Sequence, residues 1–130
     1  MVVTFLGLGL FFPHKSYGLE CNYAGNQMEL TKCAADDFGA ADKVLNARYR
    51  TAMALMKQTD RALDKDLKGA EKALRGAQRA WISYRDKACD TYGFLARGGS
   101  MESMLVLECR AALTAKRSNE LQQLLDGFGN

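Results

Sequence analysis

Four cysteines, one histidine and one proline restrict the chemistry of this 130-residue chain most strongly. The histidine and the proline, His14 and Pro13, both lie within the first fourteen residues. The rest of the chain therefore cannot supply a Ser-His-Asp triad, a Cys-His pair or a His-ligated zinc site. The cysteine spacings also lack the CxxC-like pairs typical of zinc sites. We predict a protein without catalytic residues, metal ligands or a cofactor.

The first eighteen residues have the features of an export signal. An apolar run over residues 2–12 has the length of a signal-peptide core, and Ser16 and Gly18 form the small-x-small pattern of a cleavage site. The run is shorter than the roughly 20 apolar residues that span a bilayer. We expect residues 1–18 to be a signal peptide, lacking part of its basic start because no Lys or Arg precedes the run. A buried N-terminal helix is the alternative.

Composition and charge indicate that the remaining residues, 19–130, form one globular domain, and the export signal would place it in the periplasm or outside the cell. The whole chain is 48% hydrophobic and 25% charged, with a formal net charge of +3. Basic and acidic residues alternate, as in residues 64–66 and 85–87. Since a nucleic-acid interface usually needs clustered Lys and Arg, we expect a mixed solvated surface and no nucleic-acid partner.

Apolar residues recur at steps of three and four, which predicts helices. The first helix begins after Asn26, whose side chain can cap it while Glu29 reaches back, and it runs to about Lys57. A reset of the pattern around residues 58–60 precedes the second helix. The apolar stripe of the second helix is Leu63, Leu67, Ala70, Leu74, Ala77, Trp81, Tyr84, Ala88 and Tyr92 or Leu95.

The third helix follows a glycine-rich connection. Residues 97–100 end the second helix, and Ser100, with Glu102 behind it, is the predicted N-cap of the third. Short connections make neighbouring helices antiparallel, and no proline interrupts the chain after residue 13. We predict an all-α antiparallel three-helix bundle. The apolar positions of its third helix are Val106, Cys109, Leu113, Leu121, Leu124 and Phe128.

The bundle suggests a disulfide pattern. If the second and third helices reverse near residue 99, Cys89 and Cys109 lie ten residues on either side of the reversal and at one level. Small neighbouring residues would allow the about 5.5 Å between Cα atoms that a disulfide requires. We predict Cys89–Cys109 and Cys21–Cys33, both at one end of the bundle, with Cys33–Cys89 as the alternative.

Four segments resemble the LprI-type lysozyme-inhibitor domain family. Residues 27–34 and 41–49 are similar to its N-terminal half, residues 77–89 (AQRAWISYRDKAC) to its central signature, and residues 98–121 to its C-terminal block. The resemblance extends over about residues 21–125 and includes all four cysteines. It implies an envelope protein whose partner is a protein, lysozyme, which it binds and blocks.

The signature residues are Gln78, Trp81, Tyr84, Arg85 and Asp86. Trp81 and Tyr84 fall on the apolar stripe, so we interpret them as core residues with their polar tips at its edge. Arg85 comes level with Cys33 and within reach of Asp36 or Asp37. Because buried charges are usually paired, a structural arginine–carboxylate link is favoured over a partner-facing arginine.

The predicted partner-binding segment is the loop at residues 95–101. Gly98 and Gly99 let a main chain enter a narrow cleft, where Arg97 and Ser100 would occlude the groove that lysozyme builds around two carboxylates. The alternative is that the glycines only reverse the chain.

A second function is compatible with the same sequence. The domain would then be a non-enzymatic structural, stress-related or protein-interaction module of the envelope with no lysozyme target. Tyr23, Tyr92 and Phe94, near the cysteine-rich end, would form its protein-binding patch.

Overall fold

The computed structural model describes residues 25–127. Within this range the chain forms three α-helices and no strand: α1 (Gln27–Ala62), α2 (Ala70–Gly93) and α3 (Glu102–Leu125). Short 3-10 turns at Lys65–Leu67 and Phe94–Ala96 lie in the two connections. The all-α prediction is confirmed. The predicted signal peptide at residues 1–18 lies outside the described residues, as do Cys21, Tyr23 and Phe128.

Helix α1 begins where the sequence predicts and ends later. The backbone N–H of Glu29 donates to Asn26 Oδ1 at 3.0 Å, which confirms the predicted cap. The predicted end near Lys57 is wrong, because the helix continues to Ala62. Residues 58–62 contain no Gly or Pro that would stop it, and the Thr59 hydroxyl donates to the backbone carbonyl of Leu55 within the same helix. None of the helices between residues 25 and 127 is long and apolar enough to cross a membrane.

One carboxylate joins the end of α1 to the start of α2. Asp60 accepts hydrogen bonds from the backbone N–H groups of Gly69 and Ala70, both at 2.9 Å, and of Glu71 at 3.1 Å. These N–H groups belong to the first turn of α2, which has no partners for them within the helix. Gly69 has a φ of 148°, a conformation that L side chains rarely adopt. Helix α2 therefore begins at Ala70 and not at the predicted apolar residue Leu63.

The buried face of α2 shares only Leu74 with the predicted apolar stripe. Its buried residues are Leu74, Gln78, Arg85, Cys89 and Gly93. Of the residues predicted as core, Trp81 is half-buried, whereas the side chains of Tyr84 and Tyr92 are 61% and 53% exposed. The apolar pattern failed here because two polar residues are buried with hydrogen-bond partners supplied by the other helices.

The core lies where the three helices meet. Its buried members are Leu45, Ala52, Met53, Leu74 and Leu121, and half-buried Tyr49, Met56, Trp81, Leu124 and Leu125 pack against them. Helix α3 buries Met104, Ala111, Thr114, Ser118 and Leu121, a face that shares only Leu121 with the predicted one. Ser100 is not its cap: α3 follows Met101, and no side chain caps it there.

Residue pairs record the order of contacts between helices. Gln78 of α2 bonds to Arg117, Arg85 to Thr114, and Cys89 to Cys109, so the residue numbers fall along α3 as they rise along α2. Between α1 and α3 the numbers rise together: Gln27 contacts Met104 and Arg48 contacts Asn119.

The role of Asp60 predicts a pH-dependent stability. Hydrogen bonds from the backbone of Gly69, Ala70 and Glu71 lower the pKa of its carboxyl below the ordinary value. Stabilisation by the ionised group is therefore full above the unfolded-state pKa and is lost as the pH falls through the folded-state pKa. We expect Asp60→Asn to lower the Tm at neutral pH, and the difference from wild type to close in strong acid. Circular dichroism melts across this pH range measure both.

Asp64→Asn is the matched control for that experiment, because the Asp64 side chain makes no capping hydrogen bond. Its Tm should equal that of wild type throughout. A Tm difference between Asp60→Asn and wild type that is as large at low pH as at neutral pH would contradict the electrostatic account.

Two helical glycines should respond in opposite directions to alanine. A Cβ at Gly93 would lie 2.9 Å from Val106 Cγ2, whereas at Gly76 nothing lies within 4 Å. We expect Gly76→Ala to stabilise by up to about 1 kcal/mol and Gly93→Ala to destabilise by about 1–3 kcal/mol. Urea denaturation gives both values. Adding Val106→Ala should recover part of the Gly93→Ala loss; no recovery would show that the clash is not the cause.

Candidate functional site

The signature arginine of α2 lies between two aromatic rings. The Arg85 side chain is 9% exposed, and its guanidinium carbon is 5.1 Å from the ring centroid of Phe38 on α1 and 5.2 Å from that of Trp81. A cation over an aromatic face is attracted by the ring quadrupole, more strongly where water is excluded. Trp81 therefore contacts this cation from α2, and Phe38 contacts it from α1.

Polar partners from all three helices satisfy the same guanidinium. Nε of Arg85 donates to Asp86 Oδ1 at 2.9 Å, and Nη1 donates to Thr114 Oγ1 at 3.3 Å. Nη1 also lies 3.6 Å from Asp42 Oδ1. Both carboxylates are partly exposed, so water shares the charge and the ion pairs contribute less than fully buried ones.

The arginine–carboxylate link was predicted, but its place on α1 was not. The sequence placed Arg85 level with Cys33, next to Asp36 or Asp37, whereas the structure places it on Phe38 and Asp42. The reason is the late end of α1, which moves the centre of the reversal from about residue 59 to the middle of the connection at residues 63–69.

We call the polar contacts among Gln78, Arg85, Asp86, Arg110 and Arg117 the polar seam. Its two arginines from α3, Arg110 and Arg117, were not among the predicted site residues. Arg117 Nε donates to Gln78 Oε1 at 3.1 Å, and the guanidinium carbon of Arg117 is 6.0 Å from the Trp81 ring. Gln78 and Arg85 are seven residues apart, as are Arg110 and Arg117. This matched seven-residue spacing is the sequence pattern that could have predicted polar contacts between α2 and α3.

Arg110 links the seam to the end of α2. Its Nη2 donates to Asp90 Oδ1 at 3.4 Å, and its Nε lies 3.6 Å from Asp86 Oδ1. Asp86 thus contacts two arginines, Arg85 and Arg110, one on each helix. The signature residues Gln78, Arg85 and Asp86 therefore join helices to one another.

The predicted Cys89–Cys109 disulfide is present, with 5.4 Å between its Cα atoms. It excludes the alternative Cys33–Cys89 pairing. Cys33 is also disulfide-bonded, and Cys21, its predicted partner, lies outside the described residues. A cross-link between residues 20 apart contributes about 3 kcal/mol in the chain-entropy model. It ties α2 to α3 five residues before the connection between them begins.

The α2–α3 loop, residues 94–101, is held in shape by its own backbone. The N–H of Gly99 donates to the carbonyl of Ala96 at 2.8 Å, and Gly98 has a φ of 77°. Gly98 is required there because its conformation lies in the left-handed region. The predicted role of the glycines in reversing the chain is thus met at Gly98.

Glu102, the first residue of α3, holds the loop through two hydrogen bonds. Its Oε2 accepts the Gly98 backbone N–H at 2.8 Å, and its Oε1 accepts Arg97 Nη1 at 2.6 Å. The Gly98 hydrogen bond, reinforced by Arg97, keeps the pKa of the Glu102 carboxyl below its ordinary value. The Arg97 guanidinium also lies over the Phe94 ring at 4.7 Å. Arg97 is therefore oriented before any partner binds, which the sequence did not predict.

Large apolar side chains surround Arg97 and face solvent. Leu95 is 77% exposed, Phe94 64% and Met101 44%, and Tyr92 at the end of α2 is 53% exposed. Ser100 is exposed beside them. Large exposed apolar side chains gathered at one loop are typical of interaction sites. We define the loop-end surface as Tyr92, Phe94, Leu95, Arg97 and Met101.

Between residues 25 and 127, no group of three His, Cys, Asp or Glu side chains is placed to hold a metal ion. The described residues offer hydrogen-bonded arginines, a disulfide and an exposed apolar loop.

Comparison with known proteins identifies the family. The family model described as lysozyme inhibitor LprI matches residues 20–121, which include α1, α2, the loop and most of α3. The chain belongs to the LprI lysozyme-inhibitor family. An uncharacterized protein of Rhizobium meliloti (strain 1021) is 50% identical over 114 residues, covering 85% of this chain and 82% of that protein. No solved structure matches.

The contacts of Arg85 in this LprI-family chain predict that even a conservative replacement by lysine destabilises the protein. The three N–H donors of lysine share one nitrogen, so lysine cannot reproduce the planar guanidinium, whose Nε and Nη1 reach Asp86 and Thr114 while it lies against the Trp81 ring. We expect Arg85→Lys to lower the unfolding free energy by about 2 kcal/mol, because buried polar partners lose their hydrogen bonds. Arg79→Lys, on an exposed position of the same helix, should change it by less than about 0.5 kcal/mol. Equal unfolding free energies for the two variants in urea would contradict this role.

Proposed function

We propose that this protein is an exported, non-enzymatic inhibitor that binds a lysozyme-type muramidase and blocks its cleft. Membership of the LprI family is the observation that carries the proposal. The Cys89–Cys109 disulfide supports export, because disulfides form and persist mainly in oxidising compartments. The proposed location is the periplasm or the exterior of the cell, with residues 1–18 as the export signal and residues 19–130 as the LprI-like domain.

The proposal takes the three helices as an antiparallel bundle, supported by the order of the residue pairs between α2 and α3. In such a bundle the connection between α2 and α3 projects from one end, close to the start of α1. Gln27 and Ser103 line one groove with Ser100, which supports this placement. A projecting loop on a rigid scaffold is suited to entering a cleft.

The loop-end surface supplies the contacts in this proposal. Leu95, Phe94 and Met101 are exposed apolar side chains around a single cation, Arg97. Interfaces are strongest where apolar and aromatic anchors fill pockets at their centre, with arginine among the favoured residues. Gly98 and Gly99 keep the main chain narrow where it would enter the cleft.

Arg97 and Ser100 are proposed to occlude the cleft. The groove of lysozyme carries two carboxylates, and Arg97 is already bound to one carboxylate, that of Glu102. The Arg97 side chain is 65% exposed, so its ion pair is of the solvent-screened kind that contributes little to stability. Exchanging Glu102 for a carboxylate of the muramidase is therefore a small energetic change.

A non-enzymatic protein-interaction module with no lysozyme target is the second candidate. The exposure of Tyr92 and Phe94 favours it, because these rings form part of an apolar surface that does not require a groove in the partner. Tyr23, the third residue of the predicted patch, lies outside the described residues.

Titration of the oxidised protein against animal-type and bacterial muramidases tests the proposal, with cell-wall lysis as the measurement. We expect inhibition, and we expect Leu95→Ala to weaken it about tenfold or more, as for a residue at the centre of an interface. Leu67→Ala is the matched control, since Leu67 is also exposed, at 67%, but lies in the α1–α2 connection. Absence of inhibition of every muramidase would contradict the proposal and favour the second candidate.

Arg97→Ala and Ser100→Ala test the occluding residues separately. Each should weaken inhibition without changing the far-ultraviolet circular dichroism spectrum, because both side chains are exposed. Full inhibition by both variants would refute occlusion by these two residues and leave inhibition by the protein intact.

A further inference from the structure

Seven exposed basic side chains lie along the α1–α2 hairpin. We call them the basic face: Lys43, Arg50, Lys57 and Arg61 on α1, and Lys72, Arg75 and Arg79 on α2. Steps of seven, seven and four residues on α1, and of three and four on α2, keep each row on one side of its helix.

A groove between the helices joins the two rows. Arg50 and Lys57 of α1 and Arg75 of α2 line it together, over a floor that includes Tyr49 and Met53. The two basic rows thus meet at this groove, although Arg50 and Arg75 are far apart in the sequence.

Little negative charge opposes the basic face. From Lys43 to Arg61, α1 carries five basic residues and one acidic residue, Asp60, whose carboxylate is occupied by the backbone of α2. Of the seven cations, only Arg75 has a carboxylate partner among the described residues, Glu71. The first part of α1, residues 27–42, has the opposite balance, with four acidic residues and one basic residue. The net charge of +3 therefore conceals a strongly uneven distribution.

We propose that the basic face binds the surface of a bilayer that contains anionic phospholipids. The α1 row is about 27 Å long at 1.5 Å per residue, so it matches an extended array of phosphates better than a single small anion. Each Lys or Arg held near an anionic lipid surface contributes about 1 kcal/mol, which is about fivefold in affinity.

A lipid surface suits this face better than a nucleic acid does. Single-strand binding relies on exposed aromatic rings on which bases stack. The exposed aromatic side chains of the described residues, Tyr84, Tyr92 and Phe94, are not among those of the basic face or its groove. Reading a duplex requires an element that enters a groove, and here two helices lie side by side.

Binding through the basic face would leave the loop-end surface free. The basic-face residues of α2 lie within its first ten residues, and the loop follows its last residue, Gly93. The inference does not depend on lysozyme inhibition, and either activity can exist without the other.

Vesicle co-sedimentation tests the proposal with the oxidised protein and two triple variants. Vesicles of phosphatidylcholine with phosphatidylglycerol should bind the wild type at low salt, and vesicles of phosphatidylcholine alone should not. Replacing Arg50, Lys57 and Arg79 with glutamine should weaken binding about a hundredfold, from three charges at about fivefold each. Added salt should weaken wild-type binding further.

The control variant replaces three exposed lysines elsewhere, Lys32, Lys87 and Lys116, with glutamine. It has the same net charge and the same N-terminal segment as the first triple, so a contribution from either cancels in the comparison. Equal loss in the two triples, or equal binding to both kinds of vesicle, would overturn the proposal. Tighter binding of the wild type to a DNA duplex than to anionic vesicles would also overturn it. Unchanged melting temperatures confirm that both variants fold.

Discussion

The packing of the three helices depends on the guanidinium of Arg85, which is buried and needs partners from each of them. An unpaired buried charge would cost several kcal/mol, so its partners must be in place. Helix α1 supplies the Phe38 ring and the Asp42 carboxylate, and α3 supplies the Thr114 hydroxyl. These contacts connect α2 to both other helices through one side chain. Apolar packing at the core favours compactness, and the partners of Arg85 have to be aligned with it in the packed state.

Carboxylates also close both connections of the bundle. Asp60, at the end of α1, accepts three N–H groups at the start of α2, and Glu102, at the start of α3, accepts the N–H of Gly98 and the side chain of Arg97. Each compensates for backbone groups that a turn leaves without partners. The loop is consequently ordered before binding, which lowers the entropy that association would otherwise cost.

Charge and apolar surface are separated along the molecule. The loop-end surface gathers exposed Phe94, Leu95 and Met101 around one arginine, while the basic face gathers seven cations along the α1–α2 hairpin. An apolar loop favours insertion into a protein partner, and an extended row of cations favours a polyanionic surface. Along the sequence the charges alternate in sign, which suggested a mixed surface. Clustering appears only when residues a helical turn apart, and on two helices, are considered together.

The sequence alone determined the helical class, the Asn26 cap and the family, because these depend on periodicity, local hydrogen bonding and motif. It favoured the Cys89–Cys109 disulfide, and the structure excluded the alternative Cys33–Cys89 pairing. The sequence did not determine where α1 ends, because no glycine or proline marks residue 62. The end was therefore predicted too early, and the wrong carboxylate of α1 was predicted as the partner of Arg85. The sequence also misassigned Tyr84 to the core and Ser100 to a cap. Hydrophobic pattern assumes that polar residues face water, whereas Gln78 and Arg85 are buried at 5% and 7% exposure because α1 and α3 supply their partners. Only the tertiary structure brings those partners together.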